Sequence, residues 1–564
     1  MDFTATIPDE MLSHIFSYVR LDELRSTRHH RYRLRPAKAN LGWIRITFVN
    51  SRWRRVAIDN ANFWTQLDGS LGSAWLDEFI CRSKNAPLAI DDRLSHDLDE
   101  STSAHFYHLM NTQRARIISM CLSSTLNHHS SFIDLDELVS CEYENVEELN
   151  LSISYTFHTS AVVNRCNALL ENIPRLLRLS LSFLAPSLDE IDWTTPCFTR
   201  LVSLNLHGAS EALFAPKILD ALRQMDALAQ LSLDESSTSR PSITPLSCNY
   251  RCSGTSEDVI RLEQARSISL GGSVELLTHL LRHFQAPPHA RVALECLPKL
   301  VVSSEQDTSD TFAQALLGFC PCSSQIPSFL SAYISFKGQY LQETCASLSL
   351  NRGHRPAYPI NEREDIPEGG STHEPLRGND LTLSWADHDT LASVIQQPQF
   401  TTAVKALTLS GAGRFKELSY LSHFPNVERL CLRTSAPGEI SLHGLGHLMD
   451  ATVFPKLRFV DLGAQEYTLS AIFTCFALDG PHRGLATKRF PALEDVLEAR
   501  RASGKPLEAI YLHVADEVAL VEDGRMGETS CPNYERELVL ESVRQLRTVQ
   551  GVEIVGKDFD VFGM

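Results

Sequence analysis

Between residues 146 and 554 the chain repeats one arrangement of apolar and polar positions, apolar-x-x-apolar-x-apolar. It occurs as VEELNL (146–151), LLRLSL (176–181), LVSLNL (201–206), LAQLSL (228–233), ARSISL (265–270), CASLSL (345–350), VKALTL (404–409), VERLCL (427–432), LRFVDL (457–462), LEAIYL (507–512) and VQGVEI (549–554). The closing apolar-x-apolar has period two, so each copy predicts a short strand with two inward residues. The segments between copies keep helical spacing instead: Val162, Cys166, Leu169, Leu170 and Ile173 in one, and Leu276, Leu277, Leu280, Leu281 and Phe284 in another. Neighbouring copies start 30, 25, 27 and 37 residues apart in the first half, and 23 and 30 apart from Val404. Strand and helix alternate as an irregular repeat. A single unit has one apolar side too small to be stable alone, and stacking the units buries a continuous core.

The N-terminal residues follow another pattern. In IPDEMLSHIFSYV (7–19), Pro8 suits a first helical turn, and Asp9 and Glu10 sit at the positive end of the helix dipole. Leu12, Ile15, Phe16 and Val19 then fall at i, i+3, i+4 and i+7, one apolar stripe. A second amphipathic stretch (41–60) spaces Val49, Trp53 and Val56 for a helix and leaves Arg52, Arg54 and Arg55 to solvent, and Phe63 and Trp64 follow. Together these make a small helical module. Modules of this size seldom bury enough surface to stand alone, so the stripe is expected to pack on the Val49 and Trp53 helix and partly against a partner.

Composition narrows the class. The chain of 564 residues is 43% hydrophobic and 21% charged, which suits packed cores. MDFTATIPDE lacks the basic patch and apolar run of a secretory signal, and LSAIFTCFAL (469–478) is too short to span a membrane. A soluble protein of cytoplasm or nucleus is therefore expected, with reduced cysteines. The cysteines run from Cys81 to Cys531; the local pairs Cys248/Cys252 and Cys320/Cys322 lack the C-x2-C spacing and the second pair a tetrahedral zinc needs, so no metal site is expected. Net charge is −17, yet the window 20–60 holds eleven Arg or Lys against three acids, +8, leaving −25 elsewhere. An acidic body repels phosphate backbones, which disfavours a nucleic-acid role; the basic window suits an acidic protein or a solvated loop.

The N-terminal residues carry a resemblance. IPDEMLSHIFSYV, then VNSRWRRVA, then FW, resembles the F-box motif in its fungal form, through Ile7, Pro8, Glu10, Leu12, Ile15, Phe16, Val49, Arg52, Trp53 and Trp64. The segment between the helices is longer than is usual in the family, and Asn50 and Ser51 stand where Cys and Lys are commoner. The repeats resemble a degenerate leucine-rich repeat, with the asparagine that usually follows the strand mostly absent. These resemblances imply an α/β fold. A three-helix F-box-like module (1–67) would precede a helical linker or cap (68–140) and a leucine-rich-repeat-like solenoid, or horseshoe, in two parts (141–350 and 381–564) around a flexible insertion (351–380). They also imply a substrate-recognition subunit of a cullin-RING ubiquitin ligase. Pro8, Leu12, Ile15, Phe16, Val49 and Trp53 would partly pack the module and partly meet a Skp-type adaptor, which joins the cullin. The repeats would hold an unknown protein substrate.

In the proposed strands, residues alternating with the buried leucines form a polar face on which small side chains dominate. Arg178, Arg429, Arg433 and Tyr511 are its candidate substrate anchors, because large aromatic and arginine side chains usually dominate binding energy. No phosphate loop, G-x-S-x-G elbow or H-E-x-x-H helix occurs, so neither catalytic residues nor cofactors are expected. A repeat scaffold without ligase recruitment, and an enzyme whose site is assembled from distant residues, remain the alternatives.

Overall fold

A computed structural model describes residues 6–29, 42–68, 72–91, 100–125, 138–154, 159–183, 190–208, 216–235, 259–296, 306–319, 331–340, 343–351, 381–386, 388–411, 419–433, 450–463, 493–513 and 552–555. The fold is mixed α/β with a mostly parallel sheet, and among the described residues no sheet closes into a barrel. The chain divides into two compact units, the first built chiefly from Met1–Gly272 and the second from Ser273–Arg282, Pro288–Ile360 and Pro375–Met564.

The first unit opens with α1 (Asp9–His29), a 3-10 helix (Gly42–Phe48) and α2 (Ser51–Asp59). Asn50 caps α2, its side-chain oxygen accepting from the Trp53 amide at 2.8 Å. Val49 thus lies in the turn before α2 and not on it, which corrects the expected helical spacing of Val49, Trp53 and Val56; the asparagine ends the preceding segment. A 3-10 helix (Ala61–Trp64) leads to β1 (Gln66–Asp68), α3 (Ser73–Ser83), β2 (Leu88–Asp91), α4 (Glu100–Thr112) and β3 (Ile117–Thr125). β4 (Glu148–Ser154), α5 (Thr159–Glu171), β5 (Arg178–Phe183), β6 (Ser203–Gly208), α6 (Pro216–Leu222), β7 (Gln230–Glu235), the two-residue β8 (Ile260–Arg261) and β9 (Ser267–Gly272) follow, with β10 (Phe284–Gln285) pairing β8.

β1, β2, β3, β4, β5, β6, β7 and β9 pair in that order, every pair parallel. Two inward columns run across the sheet. Leu149, Leu179, Leu204, Leu231 and Ile268 share one register level, and Leu151, Leu181, Leu206, Leu233 and Leu270 the next; all are buried. Each strand is entered by the same main-chain bond: the Arg178, Ser203, Gln230 and Ser267 amides donate to the carbonyls of Glu147, Leu177, Val202 and Ala229. The leading apolar residue of each copy (Val146, Leu176, Leu201, Leu228, Ala265) is buried just before that bond.

The stretch 68–140, expected to be a helical linker, contributes β2 and β3 to this sheet as well as α3 and α4. IISMCL (117–122) carries the repeat spacing with Ile117, Met120 and Leu122, all buried; a methionine in the middle position hid it.

The second unit contains α7 (Val274–His283, all but its last residue), β11 (Arg291–Cys296), α8 (Gln306–Phe319), β12 (Ser331–Tyr340), β13 (Glu343–Asn351), β14 (Leu381–Ala386), α9 (His388–Ile395), α10 (Pro398–Thr401), β15 (Ala406–Gly411), β16 (Arg429–Arg433), β17 (Phe459–Gly463), α11 (Leu493–Ala502), β18 (Ala509–His513) and β19 (Val552–Val555). β15 to β19 pair parallel in sequence order. CASLSL breaks the pattern. It forms β13, antiparallel to both β12 and β14, while β12 runs parallel to β15 and β11 to β14. Only residues 341 and 342 separate β12 from β13, and a parallel crossover needs about a dozen residues or more, so the chain folds back as a hairpin. On α11, Arg500 is fully buried; its Nη2 donates to the Phe454 carbonyl at 2.9 Å, and burial pulls its pKa down. The expected insertion, apart from Asn351, and both local cysteine pairs lie outside the described residues.

The inward and outward assignment is testable. Leu206→Ala removes a column side chain and is expected to cost about 2–5 kcal/mol in chemical denaturation, whereas Asn205→Ala, on the opposite face, stays within about 0.5 kcal/mol. Equal losses at the two positions would refute the assignment.

Candidate protein-docking surface

The N-terminal helices are fixed by a run of aromatic contacts. Phe16 meets Trp53 at 5.0 Å between ring centroids and Phe63 at 6.3 Å; Trp43 meets Phe63 at 5.7 Å and Trp64 at 5.0 Å; Trp64 meets Phe79 of α3 at 5.1 Å. The Trp64 indole donates to the Ala57 carbonyl at 2.9 Å, and the Arg82 guanidinium lies over its ring at 4.3 Å. Polar ties complete the frame. Arg52 donates to Asp9 through Nε at 2.8 Å and to the Ile7 carbonyl, and Asn60 donates to the Ser13 hydroxyl at 2.6 Å. The module therefore leans on α3 of its own unit.

This frame splits the expected α1 stripe. Leu12 and Phe16 are fully buried, but Ile15 and Val19 are exposed, together with Met11 and Tyr18. Helical geometry gives the reason: at about 100° per residue, Met11, Ile15 and Tyr18 share one face, Leu12 and Phe16 the adjoining one, and Val19 the border. Phe48 and Val49 add to the exposed apolar surface, with 61% and 58% of their areas in solvent. Arg52, on the first turn of α2, reaches Ile7 and Asp9, so the Phe48–Val49 turn lies toward the α1 N-terminus.

The six residues expected to meet an adaptor thus separate by role. Pro8, Ile15 and Val49 are exposed; Leu12 and Phe16 are core; Trp53 is half-buried against Phe16. Met11 and Tyr18 form with Ile15 a second α1 stripe at 11, 15 and 18, and Phe48 ends the 3-10 helix; all three are exposed apolar side chains outside the expected set.

The other candidates lie on the sheets. Arg178 belongs to the first unit, where its Nε lies 3.4 Å from Glu148, the facing residue on β4. Arg429, Arg433 and Tyr511 belong to the second. Arg429 is exposed at the start of β16; Arg433 ends the same strand, in register with Ser410 and Gly463; Tyr511 is in register with Asp461 and Glu553. Around Arg178 the sheet face opposite the leucine columns carries short polar rows, Asn150–Ser180–Asn205–Ser232 and Ser152–Ser182–His207. At its β7 edge Asp234 is buried, accepts from the Ser232 hydroxyl at 3.0 Å and lies over Gly271, where an added Cβ would come within 2.4 Å of Oδ1.

Two thiols have chemistry to assess. Burial pushes Cys166 and Cys197 up to about 12, so both are protonated at neutral pH and are poor nucleophiles. Among the described residues no cluster of His, Cys, Asp or Glu is arranged to hold a metal, and no helix is long and apolar enough to cross a membrane. No protein-family model and no curated protein matches the chain.

Two measurements check this description. Phe16→Ala is expected to cost about 3–5 kcal/mol of stability and Ile15→Asp no more than about 0.5, by chemical denaturation; similar losses would put Ile15 in the core. Alkylation of the native protein near pH ~8 should modify exposed Cys81 and leave Cys166 and Cys197 intact, and rapid labelling of either would contradict their burial.

Proposed function

We propose that the chain is a substrate-recognition subunit of an SCF-type ubiquitin ligase, in which the N-terminal module is an F-box-like dock for a Skp-type adaptor and its cullin. The observation that carries the reading is the exposed stripe of Met11, Ile15, Tyr18 and Val19 with Phe48 and Val49, held outward by a rigid aromatic frame. Solvent-facing aliphatic and aromatic residues grouped on one helical module mark a protein-interaction surface. Pro8, Ile15 and Val49 are the motif residues that meet the adaptor, while Leu12, Phe16 and Trp53 hold the helices that present them.

The rest of the chain is a degenerate leucine-rich-repeat-like array that holds a protein substrate. Its support is the recurrent strand signature and, among the described residues, a parallel sheet whose second face across β4 to β6 carries partly exposed polar side chains, unlike ordinary α/β sheets, whose two faces are both apolar. Chemistry belongs to other subunits of the ligase; this chain raises the substrate's effective concentration near the transferred ubiquitin. The role is that of a non-enzymatic protein of cytoplasm or nucleus.

The test separates docking from folding. Ile15→Asp with Val19→Asp is expected to abolish capture of the adaptor and cullin from cells of the source organism, with circular dichroism and unfolding midpoint unchanged. Leu12→Asp or Phe16→Asp would lose capture by unfolding the module. If the intact folded chain captures no adaptor, the ligase reading fails and a repeat scaffold takes its place.

A further inference from the structure

We infer that the exposed apolar stripe takes a partner whose apolar groove is edged by carboxylates, with Arg45, Arg54 and Arg55 as the cations that meet them. The inference deepens the adaptor reading and takes from it only the identity of one probe. In the 3-10 helix Gly42–Phe48, Arg45 and Phe48 are three residues apart, and residues at that spacing eclipse, so both exposed side chains stand on one edge. Arg54 donates through Nε to the Thr47 carbonyl at 2.9 Å, the peptide group that leads into Phe48, and this leaves its two terminal nitrogens for a partner. Arg55 lies at the first turn of α1: its Nη2 is 3.5 Å from Asp9 Oδ2, a carboxylate also bound by Arg52, and 64% of its side chain is exposed. Glu10, the other acid of the first α1 turn, is exposed about 100° around the helix from Met11 and about 80° from Tyr18, so it borders the stripe on the side away from Leu12 and Phe16.

An apolar surface with cations on its rim matches an apolar groove with acids on its rim. The charge of the whole chain sharpens the choice. Window 20–60 is +8 by sequence in a chain of −17, and Arg45, Arg54 and Arg55 are its exposed cations among the described residues, so an acidic partner is drawn to a basic window in an otherwise acidic chain. Such contrast speeds oriented encounter and fixes register more than it adds affinity. Phosphate backbones would meet the same arginines, but they gain nothing from six exposed apolar side chains between them, which favours a protein.

The intact chain is titrated with the purified Skp-type adaptor and, separately, with a helical peptide bearing leucines on one face and glutamates along its edges, beside the same peptide with lysines. The glutamate peptide should bind and the lysine peptide should not. Arg45→Glu with Arg55→Glu should reverse that preference while leaving the unfolding midpoint unchanged. Adaptor association should slow roughly tenfold between low and high salt, and the double variant should lose most of that dependence. Equal binding of the two peptides, or displacement of the glutamate peptide by duplex DNA, would overturn the inference. Binding of the glutamate peptide without the adaptor would sink the adaptor reading and leave the surface chemistry standing. Adaptor binding indifferent to salt and to the double variant would do the reverse.

Discussion

A five- or six-residue strand has two or three inward side chains, and the structure depends on where those side chains can go. Alone they remain in water. In register with the next strand they form the columns Leu149–Leu179–Leu204–Leu231–Ile268 and Leu151–Leu181–Leu206–Leu233–Leu270. Full burial of each leucine is worth about 1.5–3 kcal/mol, but only with a neighbour on each side, so every strand's stability is lent by the next. The returns over the inner face close the core with Cys166, Leu169 and Leu170 of α5 and Ile218 and Leu219 of α6. The opposite face of β4 to β6 carries Ser, Asn and His side chains that stay partly exposed, whereas Asp91 and Cys121 toward one end of the sheet and Asp234 and Ser269 toward the other are buried.

The N-terminal helices solve the same shortage of core differently. They recruit five rings from four places in the chain, Phe16, Trp43, Trp53 and the pair Phe63 and Trp64, and rest them on Phe79. Aromatic side chains bury large areas and lock one another through edge contacts, so few of them replace many aliphatics. Rigidity follows, and it matters for binding. A stripe presented by a fixed helix loses little conformational freedom on docking, whereas a frayed helix would have to order first. The same frame explains why Leu12 and Phe16 are poor positions at which to probe binding: changing them removes the support of the surface with the surface itself.

Much of this was legible in the residues. Each of the eleven repeat copies ends in a strand, because alternation of apolar and polar positions reads the pleat directly, and in the first five a buried leading residue marks the entry to it. Direction was not legible. CASLSL has the same pattern as its neighbours, and only the two-residue spacing from the preceding strand turns it antiparallel. Helical faces were half legible: i, i+3, i+4, i+7 spacing names an apolar helix, but α1 has two overlapping apolar stripes about 60–80° apart, and which one is buried depends on where Trp53 and Phe63 stand. Arg178 shows the limit for single anchors. Sequence identified a large cation on a strand face, and the neighbouring strand supplies the Glu148 that answers it.

In the proposed docking, charge and shape would act on different steps of one event. The exposed aliphatic and aromatic side chains of α1 lose water when a partner covers them, and that loss sets how long a complex lasts. The arginines around them act before contact, over about a Debye length of 8–10 Å, and an acidic chain elsewhere removes competing orientations. Separating the roles constrains the sequence. Residues of the stripe must stay apolar yet few, since a wider patch would self-associate, and the cations must stay at the rim, since an arginine inside the contact would leave a desolvated charge. Asp9 serves both demands: bound by Arg52 through one oxygen it ties α2 to α1, and its other oxygen holds Arg55 at 3.5 Å while 64% of that side chain stays in solvent.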